Sequence, residues 1–418
     1  MDHNLPSVRP PSNCEKASDD NKDDYHVDPP VDLAAGDRAR LRTNIPWVDD
    51  LVTRVTGKAL PGQQPVFRLT PGRAYLLGCL ALVVSMTMVQ LLLDLAVDHP
   101  LLGAVLAPAI VVNLAVLVGR LRAQQVVFGH HAVHLSFCGG NRRVNRIIAE
   151  AATVITLSQN PPDYRDDHVK VHHKIRTFTT PDDPDAAFLI RLGFRPGMSR
   201  RDLYRLLVKS LLSPRYHFIF TMARLHSSFV SASPVHRALC ALWVLVLAVL
   251  ATKLGSVEFL LGVALPLGPL YHMSALLQFT SEHRWMVGPI VGHDPREYAS
   301  RNQGRFALAP LPRADLTGTK RVAAWLKWSV CQAGELLFRA AVTVGDLPAH
   351  DLHHVVGLVR RRPESWVQAA FERQATIDEG DWLGLSSRQA MGWKQSFDWV
   401  FDGLAMTSPT QSEEGEIE

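Results

Sequence analysis

AYLLGCLALVVSMTMVQLLLDLAV (74–97), DHP (98–100), LLGAVLAPAIVVNLAVLVG (101–119): two long apolar runs separated by three residues. At about 1.5 Å per helical residue, such runs match a hydrocarbon core of about 30 Å. Asp94 lies near the far end of the first run, within reach of the interface, and Asn113 is the strongly polar side chain of the second. The turn between them is so short that the second helix must return beside the first. Two further runs follow at 238–254 and 257–279, joined around Gly255-Ser256. The first of these is short for a crossing. The second contains Pro266 and Pro269, which predict a kink or interruption.

Four spans place both chain ends on one side. The turn at 98–100 carries no Lys or Arg, and Lys253 stands alone beside the other turn. The loop 120–237 is rich in them, including Arg142, Arg143, Arg191, Arg195, Arg200, Arg201 and Arg205. By the positive-inside rule the long loop and both termini face the cytoplasm. The fold class expected is therefore an all-α integral membrane protein. Its four transmembrane helices form two hairpins beneath a helical cytosolic cap.

Around this membrane domain (71–360) the 418-residue chain divides by composition. Residues 1–43, rich in Asp, Pro, Ser and Asn, read as a disordered tail. In 44–70, Ile45, Trp47, Val48, Leu51, Val52 and Val55 suit an amphipathic helix. Such a helix lies on the membrane surface or packs on the cytosolic lobe, and the pattern leaves both open. The insert 141–230 reads as mostly helical, and 280–400 as a second cytosolic lobe with amphipathic stretches near 320–344 and 364–375. Within it, 361–405 forms a C-terminal helical segment carrying Trp382, Trp393 and Trp399, and 406–418 is an acidic disordered tail. The net charge of +4 and the lack of a basic stripe interleaved with aromatics argue against a nucleic-acid binder. Cys14, Cys79, Cys138, Cys240 and Cys331 contain no C-x-x-C, which disfavours a zinc ribbon, a built-in rubredoxin-type centre or a dithiol motif. The first seventy residues show no secretory apolar region.

Ten of the eighteen histidines flank these spans, nine of them in three clusters. The clusters are His130-His-Ala-Val-His134, His168-Val-Lys-Val-His172-His173 and His350-Asp-Leu-His353-His354, and the tenth histidine is His283. In a helix, residues three or four apart share a face, so each cluster aims at least two imidazoles one way. His173, one residue beyond an i+4 position, points about 100° away and can reach a second ion. Neutral imidazole is a common ligand for mid-row transition metals. Eight cluster histidines plus His283 suit two ions with about four nitrogens each, on the cytosolic surface of the membrane. His131 points away from its neighbours and reads as a surface histidine. His272, inside the fourth span, reads as a satisfied buried histidine, and His217, His226, His236 and His293 lack partners at useful spacing.

The histidine pattern resembles the membrane-bound fatty acid desaturase and hydroxylase superfamily: a pair three or four apart, then two boxes of H-x(2–3)-H-H. The flanks are similar as well. Lys174-Ile-Arg-Thr-Phe-Thr-Thr180-Pro-Asp-Asp-Pro-Asp185 resembles the acidic run after the second box of bacterial desaturases, and Asn141-Arg-Arg-Val-Asn145-Arg146 the Asn-Arg stretch after the first. Glu282-His283 resembles the extra ligand before the third box. The resemblance spans roughly 70–360. It departs at His131, where many relatives carry an acid, in the longer spacing of box two, and at Val355-Val356-Gly357 after box three.

The resemblance implies a non-haem di-iron site that uses dioxygen to remove hydrogen from an unactivated C–H bond, held by His130, His134, His168, His172, His173, His283, His350, His353 and His354. Asp167, Glu282, Asp346 and Asp351 are candidates to orient the imidazoles. It implies desaturation of a fatty acyl or related chain (lipid, CoA or acyl-carrier-protein linked), with hydroxylation as the alternative on the same scaffold. It further implies a bacterial inner-membrane setting. No haem-attachment motif, flavin fingerprint or cysteine cluster is present, so electrons must come from a separate ferredoxin, rubredoxin or cytochrome. Arg360-Arg361-Arg362 and the Arg191–Arg205 group either dock an acidic donor or carrier or anchor to lipid headgroups. A metal transporter or sensor is the reading from another class. It would need polar ligands inside the spans, which offer Gln90, Asp94, Asn113 and His272.

Overall fold

The computed structural model describes residues 33–290, 294–359 and 365–408. Most of both expected tails, along with His293 and Arg360, Arg361 and Arg362, lies outside the described residues. A short helix α1 (Leu33–Arg40) precedes α2 (Pro46–Thr56), and then α3 (Pro71–Asp98) and α4 (Gly103–Val133) run as long apolar helices packed along each other. The fourth span is α11 (Ser256–Glu282) and the third is α10 (Pro234–Lys253). Thus, among the described residues, four helices are long and apolar enough to cross a membrane. They are integral to a membrane protein: side chains such as Leu76, at 67% exposure, and Leu245, at 60%, stand outward with nothing but solvent or lipid to meet them.

The second span is longer than its apolar run. It is α-helical to Ala123, π-helical over Gln124–Gly129, and α-helical again through His130–Val133. Between α4 and α10 come α5 (Arg142–Thr156), α6 (Pro161–Tyr164) with a π-helical continuation Arg165–His172, α7 (Pro184–Arg191), α8 (Arg200–Leu211) and α9 (Pro214–His226). Their starts follow the sequence closely: Asn141, Asn160, Asp183, Ser199 and Ser213 each cap the next helix by accepting a backbone N–H. In α11 the expected interruption is real. A π-helical stretch Leu260–Ala264 leads to a break at Gly268, after which Pro269 opens a final helical piece to Glu282.

After α11 the chain forms α12 (Pro295–Ser300), strand β1 (Gly304–Phe306), α13 (Gly318–Ala341), α14 (His350–Val359), α15 (Ala369–Asp378), strand β2 (Gln389–Met391) and α16 (Gly392–Met406). Among the described residues the regular structure is helical except for this short parallel pair, in which Gly304 faces Gln389. The strands were not expected. Three residues carry too little periodicity to be legible.

Four apolar clusters position the site. Phe194, Leu203, Trp285 and Phe401 join α7, α8 and α16 to the end of α11, while Phe128, Phe137, Val344 and Trp366 pack beside the end of α4. Phe178, Tyr298, Leu352 and Leu383 close the side around α14, and Leu82, Leu117 and Tyr271 hold the spans together. A side chain at Gly119 would fall on the carbonyl of Ala340, so α13 and α4 cross in direct backbone contact. The described residues form one compact unit, with α16 packed on α11 and α8.

Helix α2 is turned in an informative way. It buries Asp49, Asp50, Thr53 and Thr56 and exposes Trp47, Leu51 and Val55. Its polar face packs inward, where Asp50 takes Arg54 and the backbone N–H of Val66. Of the two options left by the sequence, packing on the protein is realised by the polar face, while Trp47, Leu51 and Val55 stand exposed.

Candidate metal centre

Nine histidines from four separate segments converge. Ring centroids of His130 and His353 lie 4.4 Å apart, those of His134 and His173 4.6 Å, and those of His173 and His354 4.4 Å. His283 joins from the end of α11, 4.7 Å from His354 and 5.3 Å from His172. It leaves the helix in an extended conformation and bridges to Asn302, which aims its ring back into the cluster.

The donor atoms divide into neighbouring sets. Those of His130, His134, His168 and His353 all lie within 4.8 Å of one another, as do those of His172, His283 and His354, and those of Glu282, His283 and His350. His168, His172 and His173 form a further set that links them. The division differs from simple α-helical spacing because box two is π-helical. The N–H of His173 bonds the carbonyl of His168, five residues back, at 3.1 Å, so these two share a face. Their Nε2 atoms are 3.1 Å apart. A π turn also precedes His130. Such turns are rare and concentrate at functional sites.

The donor chemistry fits a cation. Three pairs of imidazole Nε2 atoms face each other at hydrogen-bond distance: His130 with His353 at 2.9 Å, His168 with His173 at 3.1 Å, and His350 with His354 at 3.2 Å. The Nε2 of His134 is buried without a hydrogen-bond partner among the described residues. A metal ion shared by the facing lone pairs would satisfy all of these atoms at once.

Electrostatics point the same way. Burial, reinforced by the neighbouring imidazoles, pushes His134, His168, His173, His283, His350 and His354 well below the ordinary value of 6.5. They are neutral at pH 7, as a ligand must be. His172 is the exception. Burial opposes its charged form, yet the Asp183 carboxylate, backed by Asp185 and Glu282, outweighs burial and raises it to about 9.

For the metal-free protein the sign follows. The six lowered imidazoles take up protons more readily in the unfolded chain, so their effect is to lower stability as pH falls below about 6.5. His172, with its raised value, stabilises at low pH and loses that contribution as pH rises through about 9. Asp185, raised to about 7 by burial, also favours the folded state as pH falls, and the six imidazoles outnumber these two. We expect the thermal midpoint of chelator-treated protein to drop between pH 7 and pH 5, and an unchanged midpoint would contradict this balance.

The four carboxylates expected to orient imidazoles behave differently from one another. Asp346 accepts from His131 Nε2 at 2.8 Å. Glu282 lies within the set of His283 and His350 and is held by Gln278 at 3.1 Å and Arg305 at 3.3 Å. Asp167 is exposed and accepts from Gln159, with no imidazole contact. Asp351 is buried but faces Arg373, at 2.7 to 2.9 Å, instead of a histidine. Proximity in sequence failed for these two because neighbours along a helix point to different sides.

His131 is corrected outright. It is fully buried, donates to Asp346, contacts Ser136 Oγ at 3.0 Å and stacks on Trp366 at 5.4 Å. The helix face opposite the site is covered by the lobe that follows the fourth span, and no outward side remains. His272 is buried as expected and accepts from Arg224 at 2.8 Å. His217, read as unpartnered, lies 3.4 Å from His272, and His236 lies 2.8 Å from Glu150.

Several groups were missed. Asp183 receives His172 Nδ1 at 2.9 Å while capping α7, and Asp185 lies 3.6 Å from the same nitrogen. Their signal was the acidic run after box two. Tyr164 reaches His130 Nδ1 at 3.4 Å and Tyr298 reaches His354 Nδ1 at 3.2 Å, with no motif to announce them. The polar groups of the spans are tied up locally: Gln90 donates to Asp94, and Asn113 to the carbonyl of Ser85.

Comparison with known families gives a match to the fatty acid desaturase model over residues 104–332, just over half of the chain. The chain belongs to the fatty acid desaturase family. Searches of curated proteins and of solved structures returned no match. The matched part of this desaturase-family protein holds His130 through His283 and ends before the cluster at His350. Membership marks it as an oxidoreductase of lipid chains, of the desaturase or hydroxylase type.

Proposed function

We propose that this protein is a membrane-bound di-iron oxidase that carries out dioxygen-dependent desaturation of a fatty acyl or related lipid-like chain. The observation that carries this reading is the shell of nine imidazoles, buried apart from the half-buried His134 and His173 and drawn from four segments, two of which continue apolar helices. His130, His134, His168 and His353 would hold one iron. His172, His283 and His354 would hold the other, with His350 and His173 between the two sets and Glu282 beside them. Bound iron supplies the capacity to activate dioxygen. The chain's own residues present neutral nitrogens, fix their orientation through Asp183, Tyr164 and Tyr298, and keep water away by packing Phe178 and Trp285 against His172.

The four spans form two hairpins, and the site and both termini face the cytoplasm of a bacterial inner membrane. A separate ferredoxin, rubredoxin or cytochrome delivers two electrons there. The test is metal analysis of purified protein together with lipid profiling of an expressing host supplied with such a donor. Iron with new unsaturated chains is the expected result, and label from dioxygen retained in the product would move the reaction to hydroxylation. Protein that holds no iron and leaves host lipids unaltered would overturn the reading.

A further inference from the structure

Beside the imidazoles lies a cavity of about 110 Å³. His130, His168 and His172 line one side, and Arg122, Gln125 and Gln278 line another. Phe220, Ala275, Phe279 and Leu347 add apolar surface, on which the first carbons of a chain could lie. The cavity is small, and Arg122 and the imidazoles border it together.

Arg122 is the unusual member. It is 3% exposed, it donates to Gln278 Oε1 at 2.6 Å, and its Nε has no hydrogen-bond partner among the described residues. No carboxylate forms an ion pair with it among the described residues. Glu282, which also borders the cavity, is held by Arg305 and Gln278, and Asp185 lies by His172. A second guanidinium adds to the positive charge: Arg122 and Arg224 both lie over the Tyr271 ring, at 4.7 and 4.6 Å. Arg224 is occupied by the carbonyls of Thr156, Leu157 and Leu267. Buried charges are normally paired. An unpaired guanidinium in a small cavity therefore calls for an anion, and its planar fork matches a carboxylate.

We infer that Arg122 binds a carboxylate of the substrate inside this cavity, so that the carbon facing the imidazoles is only a few bonds from that carboxylate. This rests on the oxidase reading and narrows its substrate class. The acyl group enters as a free acid and is oxidised near its carboxyl end, not in mid-chain.

The test uses full-length protein in neutral detergent, metal-free and iron-loaded, titrated calorimetrically with hexanoate and with its uncharged methyl ester. A charge-assisted bidentate contact predicts about tenfold or greater preference for hexanoate. The metal-free arm isolates Arg122, because iron could itself take a carboxylate. The preference should vanish in Arg122→Gln and persist in part in Arg122→Lys, with metal content as the check on folding. Equal affinity for acid and ester in the wild-type protein would overturn the inference, even if the variants do not fold. So would a preference retained in Arg122→Gln. A protein that binds no iron yet prefers hexanoate would sink the oxidase reading alone.

Discussion

Replacing His172 with alanine is expected to abolish substrate oxidation and to release metal. His172 contributes a donor atom to the set with His283 and His354, to the set within box two, and to the contact with Asp183 and Asp185. Its donor atoms thus belong to three of the ligand groups. Its Nδ1 donates to Asp183, which leaves Nε2 as the nitrogen presented to an ion. The milder Asp183→Asn change keeps the shape but weakens that orientation. It should cost about 10–100-fold in metal affinity or activity. The alanine variant should exceed that loss. Iron content by elemental analysis and product formation under the same donor are the readouts. A His172→Ala protein that kept its iron and its turnover would show that His172 is not a ligand of the centre.

Asp351→Ala should be the most damaging substitution outside the imidazoles. Asp351 and Arg373 are 2% and 1% exposed, and the guanidinium meets the carboxylate through three contacts at 2.7 to 2.9 Å. Removing the acid strands a buried cation, a defect that typically costs about 3–5 kcal/mol. The same pair locks α15 against α14, which carries His350, His353 and His354. Stability and metal retention should fall together. Replacing both partners by apolar residues, as in Asp351→Leu with Arg373→Met, should recover much of the stability, since a buried ion pair contributes little beyond an apolar one. Unfolding of detergent-solubilised protein decides the matter. A loss below about 1 kcal/mol, the level of an exposed ion pair, would show that Arg373 finds another partner.

The candidate metal centre is partly legible in the sequence. Regular helical spacing exposed the three clusters, and the Glu282-His283 dipeptide pointed to a contribution from the end of the fourth span. What failed was whatever depended on how a side chain is turned. His131 was read as outward because its neighbours faced inward, yet both sides of that helix are covered. Asp167 and Asp351 adjoin box histidines in sequence but point elsewhere, whereas Asp183, ten or more residues from its box-two partner, contacts that ring. Tyr164, Tyr298 and Arg122 have no distinguishing pattern at all. Their importance comes entirely from what folding brings beside them.

Length and hydrophobicity of uninterrupted runs determined the four membrane-length helices, because a bilayer imposes a fixed span on any chain that crosses it. Spacing by three and four determined that imidazoles would come in facing groups. Which nitrogen meets which was settled only in three dimensions. The π-helical turns at Gln124–Gly129 and Arg165–His172 rotate the boxes away from α-helical alignment, and the packing of α14 on α15 sets the third box in place. One inserted residue in a helical turn swings every later side chain around the axis, and no local pattern of residue types records that choice.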